Sequence, residues 1–157
     1  TMTTNAGLKK ALRQIKSSTD KGLSIYVESF GFMYGMPTDS DDVFDVRFLP
    51  NPFWVEDLKM MSGLDEPIAE YLNGFDETHD FLDKITDLFK FMMPLYVREG
   101  KSRLSIGIGC TGGRHRSVYI AETIGKILTE LGYSTIVNHR DIDRDSRYVV
   151  KEDKPAK

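Results

Sequence analysis

Cysteine is almost absent from this chain: among 157 residues there is one, Cys110. A lone cysteine excludes an internal disulfide, so the fold must rest on its core. The three histidines, at 79, 115 and 139, are scattered. With one cysteine they give no metal-ligand spacing, and no metal is expected. Long apolar runs are missing too, and none approaches the roughly 18 residues of a membrane span. The first stretch, TMTTNAGLKKALRQIK, is basic but lacks the apolar centre of a signal peptide. The expectation is a cytoplasmic protein with no membrane partner. Charge of one sign is lacking as well: the formal net charge is -3. That balance gives no global attraction for nucleic acid, so any anion site must be local.

What is present reads as one α/β domain. The length suits a single core, and 40% hydrophobic with 29% charged residues is ordinary for a globular chain. LKKALRQIK (8–16) has the spacing of a short amphipathic helix. LSIYVESF (23–30) is a β-branched and aromatic run stopped by Gly31, which predicts a buried strand. After the Gly-, Pro- and acid-rich loop 31–42, VFDVRFLP (43–50) predicts a second strand, ended by two prolines. WVEDLKMM and DEPIAEYL read as short helices split by Ser62-Gly63. ETHDFLDKITDLFKFMMPLYVRE spaces Phe81, Ile85, Leu88, Phe89 and Met92 at helical intervals, with a kink expected at Pro94. RLSIGIGC (103–110) predicts a third strand, apolar enough to be covered on both faces. VYIAETIGKILTELG (118–132) predicts a helix closed by glycine, and STIVNHRDI (134–142) a fourth strand. Strand, helix, strand with short connections implies a mostly parallel sheet of about four strands flanked by helices. The domain is expected over 23–142, with a helix or linker at 1–22 and a charged tail at 143–157.

In such sheets ligands bind where strands end and loops cross between faces. GIGCTGGRHRS (107–117) lies at such an end and runs into a helix N-terminus, where backbone N–H groups favour anions. Gly112 and Gly113 allow close backbone approach, Thr111 and Ser117 offer hydroxyls, and Arg116 can grip two phosphate oxygens. A cradle that only holds phosphate is one reading. A catalytic reading competes, because Cys110-x-x-Gly113-x-x-Arg116-Ser117 fits the C-x-x-G-x-x-R-S loop of cysteine-dependent phosphatases, with a lowered-pKa thiolate as nucleophile. Against it, position 109 is glycine where those enzymes usually carry histidine, and no upstream aspartate stands out as the acid. His115 is a candidate ligand donor or a polar residue of the first helical turn. His139 faces the same mouth or the surface. His79, beside Glu77 and Asp80, reads as solvated, and the acidic stretch 39–42 as a solvated turn.

ESFGFMYG (28–35), DVFDVRFLPNPFW (42–54), SGLDEPI (62–68) and IGCTGGRHRSVYIAE (108–122), in this order, closely resemble the C-terminal domain of the RapZ/YvcJ family. The resemblance covers about Leu23 to Arg140. It implies a parent with an N-terminal P-loop domain that binds ATP or GTP with Mg²⁺. No G-x-x-x-x-G-K-[ST] occurs here, so neither cofactor nor nucleotide hydrolysis is expected of these residues. It further implies a sensory domain for glucosamine-6-phosphate or a nucleotide sugar such as UDP-N-acetylglucosamine, homo-oligomerisation, a regulatory protein partner and an RNA-adapter role. Carried over, Thr111, Gly112, His115 and Arg116 form the amino-sugar phosphate site. Gly113, Ser117, Tyr34, Arg47, Asn51, Phe53 and His139 complete the candidate ligand set. Tyr34 and Phe53 stand where the family pattern carries histidines. Asp141, Asp143, Asp145, Glu152 and Asp153 interleave the basic residues of the tail, so RNA binding is expected to be weak.

Overall fold

The computed structural model describes residues 21–144. The helix expected at 8–16 and the tail beyond Arg144 lie outside the described residues. Four strands, β1 (Ser24–Gly31), β2 (Asp42–Asp45), β3 (Arg103–Cys110) and β4 (Ser134–His139), form one sheet in the order β2-β3-β1-β4. Every pairing is parallel, with Ile25 beside Leu104 and Thr135, and Phe44 beside Ile108. Among the described residues three α-helices accompany it: α1 (Glu66–Asn73), α2 (Asp76–Glu99) and α3 (Arg116–Glu130). The sheet is thus wholly parallel.

Strand periodicity decides where the core lies. Ile25 and Val27 of β1 and Leu104, Ile106, Ile108 and Cys110 of β3 share one face by register, and all are buried. Against that face pack Ile68 and Leu72 of α1, Ile85, Phe89 and Met93 of α2, and Ile120, Ile124 and Leu128 of α3. Burying these side chains is the main stabilising term, on the order of 1.5–3 kcal/mol for each large one. Gly125 lets α3 settle onto β4, because a Cβ there would stand 2.4 Å from Val137.

β3 is covered on both faces, as its apolar run predicts: Leu104, Ile106, Ile108 and Cys110 are buried on one and Gly107 and Gly109 on the other. On the second face the cover is aromatic: a Cβ on Gly107 would stand 3.2 Å from the Phe30 ring and one on Gly109 2.5 Å from the Phe30 and Phe32 rings, while Tyr26 of β1 and Ile136 of β4 stay exposed. The strand expected over 43–50 stops at Asp45. There the Asp45 carboxylate accepts from Arg47 N at 2.9 Å, and Val46 O accepts from Leu49 N at 3.2 Å, so the backbone turns instead of extending. The helix expected from Trp54 is also replaced, by a short 3-10 helix at Pro52–Trp54 and successive turns. α2 runs through Pro94 to Glu99 without a break, held by its buried Phe89 and Met93. β4 ends at His139, three residues before its expected limit, and Asp141 leaves the ladder to turn inward.

Candidate functional site

Four loops meet at the carboxyl ends of the strands: 32–41 after β1, 46–54 after β2, 111–115 after β3 and 140–144 after β4. Their meeting explains the glycines. Gly113 has φ +79°, and a Cβ on it would stand 2.6 Å from Gly31 N and 2.9 Å from the Asp141 side chain. A Cβ on Gly31 would in turn stand 2.5 Å from the Gly112 carbonyl carbon. The glycines therefore let two loops of the protein touch one another.

The three side chains that follow, of Arg114, His115 and Arg116, reach across to the segment 47–61. Arg114 donates to the carbonyls of Met60 and Met61 at 2.6 and 3.1 Å and to that of Ile142 at 2.8 Å. His115, buried, meets Lys59 O through Nε2 at 3.0 Å; a carbonyl only accepts, so Nε2 carries the proton. Arg116 is 4% exposed and donates through one nitrogen to Arg47 O at 2.8 Å and Leu49 O at 3.0 Å. Its other terminal nitrogen reaches Thr111 Oγ1 at 3.3 Å. Without such acceptors a buried guanidinium would cost several kcal/mol. Arg116 thus lies beneath the mouth, not over it, and binds the loop after β2 to the loop after β3.

Cys110 belongs to the core face of β3. Its thiol, 2% exposed, donates to the Oγ of fully buried Ser117 at 3.1 Å. A nucleophile must meet a phosphorus atom, and this thiol is enclosed by hydrophobic neighbours. The phosphatase reading is corrected on that ground. Gly109 fits the same correction: a side chain there would stand 2.5 Å from the Phe30 and Phe32 rings.

Arg47 and Thr111 do reach the mouth. The Arg47 guanidinium lies 4.0 Å over the Phe32 ring and grips Asp45 through two nitrogens, at 2.7 to 3.1 Å. Arg47 holds the Asp45 carboxyl below its usual range, chiefly by that hydrogen bond, and the charge of Arg116 adds to it. Tyr34 donates to Arg144 O, and its ring lies 4.6 Å beneath the Arg144 guanidinium. Asn51 Oδ1 accepts from Phe53 N at 3.1 Å, and the Phe53 ring lies beside Lys59. His139 sits on the helix side of the sheet, between Ser29 Oγ at 2.7 Å and Glu122 Oε2 at 2.6 Å. It pins β1, β4 and α3 together and stands apart from the Arg47–Thr111 group. His79, on α2, contacts Asn73 O at 2.7 Å.

Asp141, counted with the acidic tail from sequence, is corrected: it is fully buried. Its carboxylate accepts from Gly31 N at 2.8 Å, from Arg140 at 2.9 to 3.2 Å and from Arg144 at 3.0 Å. The signal was its place at the end of the last strand, level with Gly31. Among the described residues no group of three His, Cys, Asp or Glu is placed to hold a metal ion, and no helix is long and apolar enough to cross a membrane.

A wholly parallel sheet whose carboxyl ends carry arginines, a threonine and a glycine-rich turn defines an α/β domain with a candidate anion mouth. A family model described as the RapZ C-terminal domain matches residues 23–143. The chain belongs to the RapZ family, as its C-terminal domain. A nucleotide-binding protein of Bacillus cytotoxicus is 52% identical over 136 residues, covering 87% of this chain and 46% of that protein. One from Caldanaerobacter subterraneus subsp. tengcongensis is 50% identical over 144 residues, covering 90% and 51%. Another from Bacillus thuringiensis is 51% identical over 136 residues, covering 87% and 46%. The chain therefore spans about half the length of these relatives.

Proposed function

We propose that this domain is a sensor that binds a phosphorylated amino sugar such as glucosamine-6-phosphate, or a nucleotide sugar such as UDP-N-acetylglucosamine, at the Arg47–Thr111 mouth. One observation carries the reading: the exposed fork of Arg47 grips Asp45 at 2.7 Å, while Arg116 ties the Arg47 carbonyl at 2.8 Å to the Thr111 hydroxyl at 3.3 Å. A phosphate there would exchange with the Asp45 carboxylate for the exposed fork of Arg47, while Thr111 and loop N–H groups take its remaining oxygens. The relatives are named nucleotide-binding proteins, which supports a parent that handles ATP or GTP with Mg²⁺ in a separate P-loop domain. In that parent the domain would also support homo-oligomer assembly and contact a regulatory protein. RNA contact would be weak, because the net charge is -3.

The test is a thermal-shift screen of sugar phosphates and nucleotide sugars, followed by calorimetry on whatever raises the midpoint. Arg47→Ala should weaken binding by about tenfold or more, the loss of one or two charge-assisted hydrogen bonds. Asp45→Asn should strengthen it by removing the competing carboxylate. A flat screen, or hits indifferent to both changes, would contradict the proposal.

A further inference from the structure

The loop after β2 that carries Arg47 also carries a side chain that the phosphate chemistry leaves unused. Trp54 is the only tryptophan and is 77% exposed, although indole gains greatly from leaving water. The segment that presents it is firmly held. Asn51 caps the turn through Phe53 N, Trp54 N donates to Asn51 O at 3.2 Å, and Val55 N donates to Pro52 O at 2.9 Å. Pro52 is buried beneath it, and the Phe53 ring meets the indole edge to face at 4.9 Å. Further along, His115 and Arg114 hold the carbonyls of Lys59, Met60 and Met61. The Lys59 ammonium lies 5.1 Å from the Phe53 ring centre, which adds positive charge next to the aromatic pair. The loop after β2 therefore presents Arg47 at one end and a preorganised indole near the other.

We propose that Trp54 is a stacking platform for a nucleotide base, so that the mouth selects a nucleotide sugar over a bare sugar phosphate. This rests on the reading of the mouth given above. A sugar phosphate satisfies the arginines but offers no planar ring. A nucleotide sugar offers both, with its phosphates between base and sugar. Aromatic faces take any base, because every base has a π-face. The platform thus supplies affinity for the nucleotide class, and the rigid loop lowers the ordering cost on binding.

The same residue reports on the test. UDP-N-acetylglucosamine, UDP and glucosamine-6-phosphate are titrated into the 157-residue chain, read by Trp54 fluorescence and by calorimetry. Both uridine compounds should bind more tightly than glucosamine-6-phosphate and change the tryptophan emission. Trp54→Ala should weaken both by about tenfold, in keeping with the value of a base–aromatic stack. Trp54→Phe should restore part of the loss, and glucosamine-6-phosphate should bind all variants alike. Circular dichroism confirms that the variants are folded. If the uridine compounds bind no better than glucosamine-6-phosphate, or bind Trp54→Ala as they bind wild type, the platform is refuted while the mouth stands. If none of the three binds, the mouth fails, and the platform with it.

Discussion

At the scale of single residues, Gly113 and Cys110 show how a sequence motif can be real while its chemistry is different. Gly113 combines a left-handed backbone with contact on Gly31 and Asp141. Gly113→Ala should therefore cost about 2–4 kcal/mol, from backbone strain and overpacking together, seen as a lowered midpoint in urea. A change within about 0.5 kcal/mol would mean that the loops do not touch as described. Cys110→Ser exchanges one small buried donor for another beside Ser117. It should cost about 1 kcal/mol and leave ligand affinity unchanged by calorimetry. The core role of Cys110 was legible: it follows Leu104, Ile106 and Ile108 at strand period two. The burial of Asp141 had only a faint signal, its place just past β4, because its partner Gly31 lies 110 positions away.

Whole elements were legible where periodicity was long and lost where side chains competed with the backbone. α2 and α3 follow their apolar spacing, and β1 and β3 their alternation. β2 is short because Asp45 takes the N–H of Arg47, a local bond that a pattern of apolar residues does not register. The turns at 55–61 have the spacing of a helix but are fastened from outside by Arg114 and His115. No local pattern reveals those carbonyl partners; from sequence His115 reads as a ligand donor or as a polar residue of the first helical turn. Arg116 makes this testable. Arg116→Ala should orphan the carbonyls of Arg47 and Leu49 and cost about 2–4 kcal/mol. Arg116→Lys should recover only part, because one ammonium replaces a two-pronged fork. Limited proteolysis should then cut within 47–61 faster than in wild type, and equal cutting rates would show that Arg116 is not the fastening.

For the molecule as a whole, charge sets the pH range in which the fold is secure. Asp41 accepts from Ser105 N at 2.8 Å and from Lys101 at 3.2 Å, and its carboxyl lies below its usual range, first because of the Ser105 bond. Asp45 is lowered in the same direction by Arg47. Carboxyls lowered on folding stabilise above the unfolded value, about 3.9, and that contribution fades as pH falls through their folded values. Both are more than a third exposed, so the effect is modest. Asp41→Asn should flatten the acid limb of the midpoint-versus-pH curve below about pH 4 and change its shape little near neutrality. An unchanged acid limb would assign acid unfolding to other groups. At the basic end, burial foremost raises Tyr26, Tyr96 and Tyr133, so stability should fall as pH climbs past about 10.

The central claim, that the carboxyl ends of β1, β2 and β3 form the ligand mouth, is tested most directly by amide chemical-shift mapping. The isotope-labelled chain is titrated with UDP-N-acetylglucosamine and, separately, with glucosamine-6-phosphate. The account predicts shifts concentrated at 31–34, 45–54 and 111–116, with the indole N–H of Trp54 moving only for the nucleotide sugar. Spectra unchanged by both compounds, or shifts gathered away from those loops, would contradict it.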